Sequence, residues 1–344
     1  MRNCKQCQSG FLVSEEEKEM LKKVAPAFDG KVFPISEPTI CPNCREQQHL
    51  AYRNERKFYH RKSSLSGKQM ITMYNEEAPY KVYTKEEWWS EFNPLDYGKE
   101  FDFNRPFFEQ FEELMKEVPL ANLVIGDGEN CDYTNYTWSN KNCYLLSSSD
   151  YNEDCFYSSY LFKSSDCFDC LFVSDSQHLY QSIDCKNCYE SQFLQNCHSC
   201  SNCLFGYNLR NCKNCIGCIN LRNKEYYIFN KKYSKEEYGK MQKELALTSV
   251  SFDNIQQKFT DFKLTMPHKY AEIENSFEST GDHLRDCKEC VNCFDLVNGE
   301  DCKHTTLGLQ PKDCFDSIGV PNSENCYQAV ATPEDYNMVF SAIV

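Results

Sequence analysis

Between residues 130 and 223 the chain alternates short aromatic and branched runs with small polar residues. Examples are Cys-Phe-Tyr-Ser-Ser-Tyr-Leu-Phe (155–162), Cys-Leu-Phe-Val-Ser (170–174) and Cys-Tyr-Glu-Ser-Gln-Phe-Leu (188–194). Runs of this length and composition predict strands, with Ser, Asn and Asp as turn punctuation. The punctuation is periodic. An Asn or Asp followed by Cys recurs at Cys131, Cys143, Cys155, Cys167, Cys185, Cys197 and Cys212, at intervals of 12, 12, 12, 18, 12 and 15 residues, and again at Cys287, Cys302, Cys314 and Cys326, at intervals of 15, 12 and 12. Helical repeats need roughly 33–47 residues, so a unit this short predicts a mainly β fold, a cysteine-rich right-handed β-solenoid with one coil per unit.

Asn and Asp tolerate left-handed backbone and suit the corners of a coil. The Cys that follows points inward, where coils stacked about 4.8 Å apart bring like side chains into register and favour small apolar ones. The Cys residues named above form this structural ladder. The longer intervals are expected to keep register by bulging outward at a corner. The rings that follow many of these cysteines, Tyr144, Phe156, Phe168, Tyr189, Phe294, Phe315 and Tyr327, then form an outward row, partly covered by helices.

Around the repeats the hydrophobic pattern turns helical. Phe107, Phe108, Phe111, Leu114, Met115 and Val118 share one helix face between Pro106 and Pro119 and are expected to cover the first coil. Trp88-Trp89 and the rings from Tyr97 to Phe103 read as a packed neck. After Asn223 the cysteines stop: one more strand is expected over Glu225–Asn230, a helix capped by Ser234 and Glu237 runs to about Leu247, and a second helix includes Ile255 to Phe262. The domain plan is a zinc module with basic helix and hairpin (1–83), neck and capping helix (84–129), a first solenoid block (130–229), a helical insertion (230–280) and a second block (281–344).

Composition changes this picture in one respect. The chain has 344 residues, 23 of them Cys, and a net charge of −14. No apolar run has the ~20 residues a membrane helix needs, and the opening Met-Arg-Asn-Cys-Lys-Gln-Cys lacks the apolar core of a secretory signal. A cytoplasmic protein whose cysteines are reduced or metal-bound is the expectation, without a membrane role. Residues 1–90 carry 15 Lys/Arg against 12 Asp/Glu, so the remainder carries −17. The acidic repeats would repel phosphate; only Arg45, Arg53, Arg56, Lys57, Arg61 and Lys62, with Tyr52, Phe58 and Tyr59 interleaved, are placed to attract RNA.

Candidate chemistry concentrates at the N-terminus. Cys4-x2-Cys7 and Cys41-Pro-Asn-Cys44 are two knuckles that together supply four thiolates, the ligand set of one structural zinc. Ser14 with Glu17 forms a capping box for a helix in the spacer. The repeat cysteines divide between structural thiols, additional metal or iron–sulfur ligands and redox pairs; triplets such as Cys197-x2-Cys200-x2-Cys203 follow from the coil period itself. Asp282 with His283 and Asp301 with His304 are the weak catalytic candidates, and no nucleophile, base and orienting group are assembled around them.

Cys4-x2-Cys7, Phe11, Pro38 and Cys41-Pro42-x-Cys44-Arg45 resemble the probable zinc-ribbon domain of treble-clef type, in which the second knuckle opens a helix. The whole chain is similar to an uncharacterised family of cysteine-rich repeat proteins from small-genome bacteria. The residues that carry this resemblance are Arg53-Asn-Glu-Arg56, Trp88-Trp89, Tyr97-Gly98, Phe101-Asp-Phe103, Arg105-Pro-Phe-Phe-Glu-Gln-Phe111, Asn142-Cys-Tyr144 and Thr280-Gly-Asp282. That resemblance implies architecture and no activity. Many members carry a second set of CxxC pairs where this chain has Ser63/Ser66 and Thr84/Glu87, so a second metal site is not expected here.

The functional expectation is a non-enzymatic, zinc-binding scaffold. Its N-terminal module docks to a protein or ribonucleoprotein, with RNA contacted through the basic residues, and the solenoid presents a recognition surface. The alternatives are a β-helical enzyme acting on a polymer and a structural rod that self-assembles through its coil ends.

Overall fold

The computed structural model describes residues 1–51, 53–244, 249–320 and 326–331; Tyr52, Leu247 and the end of the second repeat block lie outside these. Its contacts gather into two units, Met1–Asn54 with His268–Val344, and Glu55–Pro267. The knuckle segment therefore belongs with the second repeat block, and the hairpin with the first.

In the first unit α1 (Glu15–Lys23) opens with the expected capping box, Ser14 and Glu17 each bonding the other's backbone N–H. Helix α2 (Pro42–Leu50) starts at Cys41 with proline in its first turn and ends at Leu50, so Arg53 and the basic residues beyond it are outside the helix. Five strands from Ile273–Glu274 to Phe315–Ile318 make a parallel sheet in chain order. Met20 and Leu21 of α1 and Val24 just after it pack with Tyr327 and Phe315 of the repeats.

In the second unit, strands from Asn135–Trp138 to Glu225–Ile228 form a parallel sheet closed at one edge by the antiparallel Lys231–Lys232. Register is constant. Ser147 pairs with Asn135 and Ser159, Leu171 with Ile183, Cys185 with Cys197 and Cys203 with Cys215, each 12 residues apart. The 18- and 15-residue cysteine intervals are thus not longer units with bulges. Every third residue here has positive φ, as at Asn130 (51°), Tyr133 (53°), Tyr136 (54°), Ser139 (51°) and Asn142 (53°), and the residue after it is buried or, at Cys131, half-buried. The unit is a triplet of outward, left-handed and inward positions. Four triplets make one 12-residue repeat, and Cys is free to step from one inward column to the next.

A left-handed non-glycine costs roughly 1–2 kcal/mol. Asn and Asp hold many of these positions because they tolerate that conformation, but Tyr, Phe, Leu, Lys and Gln occupy others. Hydrogen bonds between repeats offset the strain, as in Asp132 N–H to Cys143 O at 3.1 Å and Leu145 N–H to Asp132 O at 3.1 Å. Inward polar residues are satisfied by the same stacking. Ser149 Oγ accepts Leu161 N–H at 3.0 Å, and Asn140 Oδ1 accepts Asn152 N–H at 2.9 Å. Leu146, Leu161, Val173, Leu179 and Leu194 fill the remaining inward positions with the cysteines.

The elements around this block differ from expectation in two places. Helix α3 (Lys85–Glu91) sets Trp88 against Phe92, and the Trp88 indole N–H donates to Pro119 O at 3.2 Å, but Trp89, Phe101 and Phe103 are exposed, so the expected neck is packed only in part. Helix α4 (Phe107–Glu117) forms as read, but Phe107, Phe108, Phe111 and Met115 are exposed and stack on one another instead of covering the first repeat. That place is already taken. Met73, beyond the hairpin Tyr59–Lys62/Gln69–Thr72, packs with Leu123 and Tyr136, and Gly126 N–H bonds Thr137 O at 2.8 Å. At the other end, α5 (Lys235–Glu244) begins after the Ser234–Glu237 box, and α6 (Ser249–Leu264) lays Phe252, Ile255, Phe259 and Phe262 on the outward rings Phe193, Phe205 and Phe229.

Candidate metal centre

Cys4 and Cys7 sit on a tight turn. Cys4 N–H bonds Ser9 O at 2.9 Å, Gln8 N–H bonds Cys4 O at 3.0 Å, and Lys5 N–H bonds Thr39 O at 3.0 Å, which brings the second knuckle alongside. Cys41 is the N-cap of α2 and Cys44 lies in its first turn, so both thiols stand at a helix N-terminus. The four Sγ atoms lie within 4.8 Å of one another, with Cys7 and Cys41 Sγ 3.7 Å apart. Such a cluster could hold a metal ion. Amide N–H groups already point at it, from Cys41 (3.2 Å) and Gln6 (3.4 Å) to Cys4 Sγ.

The electrostatics fit ligands that must lose protons. Burial raises the Cys4 thiol, but the amides of Cys41, Cys7 and Gln6 outweigh it and hold the thiol down to about 6. Cys7 is lowered by hydrogen bonds from Ser9. Cys44 is pushed up to about 12 by burial and by its thiol neighbours, so with no cation present the cluster keeps a proton there. A bound cation reverses that preference.

The six basic residues divide between the two units and differ in burial. Arg45, next to a ligand, is buried, with Nη2 2.8 Å from Asp316 Oδ2 and 3.7 Å from Glu17 Oε1, and Nη1 donates to Ile40 O at 2.6 Å. Arg53 is half-buried. In the other unit, Arg61 donates to the carbonyls of Asn75 (2.9 Å) and Tyr80 (2.6 Å), Arg56 lies over the Tyr160 ring at 5.6 Å, and Lys57 and Lys62 are exposed.

The charge cluster around Arg45 was not legible from spacing, because Asp316 is 271 residues away. Lys303 joins it, 3.6 Å from Glu17 and donating to Ser14 Oγ at 2.9 Å. Burial pushes Asp316 up to about 6, with Arg45 pulling the other way. Burial holds His304 down to about 4, and His49 on α2 is lowered by burial and by Arg45.

Ser63, Ser66, Thr84 and Glu87 converge through hydrogen bonds. Ser63 Oγ and Thr84 N–H both donate to Glu87, whose carboxyl is held low by these bonds and by Ser66 against burial. His283 Nδ1 lies 3.0 Å from Asp295, and Asp282 accepts from backbone amides of Glu272 and His283; His304 faces Asn292. An open groove of about 690 Å³ runs past Tyr151, Glu153, Lys163, Asp175 and Tyr189, where Glu153 pairs with Lys141.

The ladder cysteines are buried except Cys131, which is half-buried. Their thiols are occupied by the backbone: Cys143 Sγ donates to Lys141 O at 3.2 Å and Cys155 Sγ to Glu153 O at 3.2 Å, a pattern repeated along the block. Among the described residues the knuckle set is the cluster that could hold a metal ion. No described helix is long and apolar enough to cross a membrane. Compared with models of known protein families and with curated proteins, the chain finds no match.

Proposed function

We propose that this chain is a non-enzymatic zinc-binding scaffold. A treble-clef knuckle pair holds one structural zinc, and two right-handed β-solenoid blocks of 12-residue coils carry the outer surface that recognises a partner. Zinc is the metal of this reading because tetrahedral thiolate ligands about 2.3 Å from the ion lie roughly 3.8 Å apart, and the sulfurs here are already near that spacing. Four protein ligands leave no open position for a substrate, so the site orders α2 and, through Arg45, fastens it to the strand bearing Asp316.

The observation that carries the scaffold reading is the outward face of the first block. A line of ring contacts runs from Tyr133 through Tyr144, Tyr157, Phe168 and Tyr180 to Phe193, at 5.5, 5.5, 5.1, 5.9 and 5.3 Å, and much of it is uncovered. Rings exposed in a continuous row mark a binding surface more often than a catalytic one. An RNA-docking role rests on the exposed Lys57 and Lys62 with Arg56.

The test is affinity capture with the native chain from its source lysate, with and without nuclease, using wild type and a form with Arg56, Lys57 and Lys62 neutralised. Recovery of a protein partner that survives nuclease and neutralisation supports recognition by the repeat surface. Recovery of RNA or ribonucleoprotein that the neutralised form loses moves recognition to the basic residues. Turnover of an added polymer would overturn the non-enzymatic reading.

A further inference from the structure

The aromatic row has two parts within one unit. At its far end, α6 runs along the rings: Phe252 meets Phe193 (4.9 Å) and Phe205 (5.2 Å), Phe259 meets Phe205 (5.7 Å), and Phe262 meets Phe229 (5.8 Å). A helix suits this face for a geometric reason. One helical turn rises about 5.4 Å and one repeat about 4.8 Å, so anchors three and four residues apart meet successive rings. The α6 anchors Phe252, Ile255, Phe259 and Phe262 have that spacing, and Lys263 beside them sets its ammonium 4.2 Å from the Tyr207 ring.

The other part, from Tyr133 to Tyr180, continues the same row, and among the described residues no helix packs on it. Tyr133, Tyr157 and Phe168 are 41%, 48% and 40% exposed, against 2% for Phe205 under α6. The repeat positions bordering these rings carry Asp132, Asp154, Asp166 and Asp169; Lys141, the nearest lysine along the repeats, pairs with Glu153 at 3.0 Å, and His178 lies 3.6 Å from Asp166. Phosphate is repelled there. So is the chain's own exposed helix α4, whose polar side bears Glu109, Glu112, Glu113 and Glu117.

We infer that the open row Tyr133–Tyr180 is a docking site for a partner protein's amphipathic helix, seated as α6 is seated, with apolar anchors three and four residues apart and a basic edge facing the four aspartates. The inference rests on the scaffold reading and names the class of partner its repeat surface takes. Five consecutive repeats span about 19 Å, the length of a helix of about 13 residues.

The probe is a fluorescent peptide of residues 249–264 carrying Asp253→Lys and Asp261→Lys, titrated into the full-length chain by anisotropy. Saturable binding is expected, weakened at least tenfold by Tyr157→Ala with Phe168→Ala and by Phe168→Lys alone. Tyr189→Ala, an exposed ring off the row, should leave it unchanged, and the peptide without its lysines should bind at least threefold more weakly. Thermal melts confirm that each variant is folded. No binding, or binding indifferent to Tyr157 and Phe168, overturns the inference, and so does displacement of the peptide by a uridine oligonucleotide. If these results accompany a captured protein partner that Tyr157→Ala releases, only the helix class fails and the scaffold reading stands.

Discussion

Phe315 and Tyr327 of the second repeat block and Phe168 of the first each follow an inward cysteine, and Tyr157 of the first holds a left-handed corner, yet their surroundings are opposite. Tyr327 is 4% exposed beneath α1, whereas Tyr157 is 48% exposed. The repeat decides which side chains face in. What happens to those facing out depends on elements it does not encode: the knuckle module covers one row, and α6 covers part of the other. Covered rings contribute stability; open rings are available for recognition.

Removing the metal ligands should break the covered side most severely. Cys41→Ser is expected to abolish metal binding and unfold the knuckle module, since structural zinc contributes on the order of 10 kcal/mol to such modules. Circular dichroism and protease sensitivity of residues 1–54 would report it, and wild-type protection in the variant would contradict the structural role.

Next in size is Arg45→Met. It leaves Asp316 and Glu17 buried without their cation, and losing one partner of a buried pair costs about 3–5 kcal/mol. Lys62→Met, at an exposed position, should change stability by less than about 0.5 kcal/mol. Equal effects of the two would sever the link between the knuckle helix and the repeat strand.

Inside the repeat, Leu161→Ala should cost about 3 kcal/mol because the fully buried leucine leaves a cavity. Cys155→Ser should cost about 1 kcal/mol, since Ser already fills equivalent inward positions such as Ser158 and keeps a donor for the carbonyl. Urea melts distinguish the two, and a Cys155→Ser effect as large as the leucine's would point to a role for that thiol beyond packing.

Acid dependence sharpens the same contrast. Asp316 has a folded pKa of about 6, above its unfolded value, so it binds protons more readily when folded. The stability it contributes is fully present below about pH 4 and is lost as pH rises to about 6, by about 2 kcal/mol. The difference in unfolding free energy between wild type and Asp316→Asn should fall by that amount across the window; a flat difference would contradict it.

The smallest expected effect is Tyr157→Ala, under about 0.5 kcal/mol in stability because the ring is half-exposed and off the inward columns. A large loss would show that the open row is structural.

The sequence made the inward and corner positions readable wherever Asn or Asp precedes Cys, because that pair marks a left-handed residue followed by an inward one. It hid the triplet beneath. Leu145, Tyr157 and Lys163 take the same left-handed conformation without turn chemistry, since hydrogen bonds to neighbouring repeats hold them there. For the same reason the 18-residue step from Cys167 to Cys185 reads as an insertion, although the register runs unbroken through Leu171 and Ile183. The four metal-ligand candidates were legible because each pair comes from one turn. Arg45 was read by its charge as a surface residue, and only the strand carrying Asp316, far along the chain, shows why it is buried.

The most direct test of the account is metal stoichiometry by native mass spectrometry of the full chain, combined with thiol titration after unfolding. One zinc per chain, lost in Cys44→Ser, with all 23 cysteines of the unfolded wild-type chain titrating as free thiols, is the result predicted. Two or more metals per chain, metal retained in Cys44→Ser, or no metal at all would contradict a single structural site beside a ladder of packing thiols.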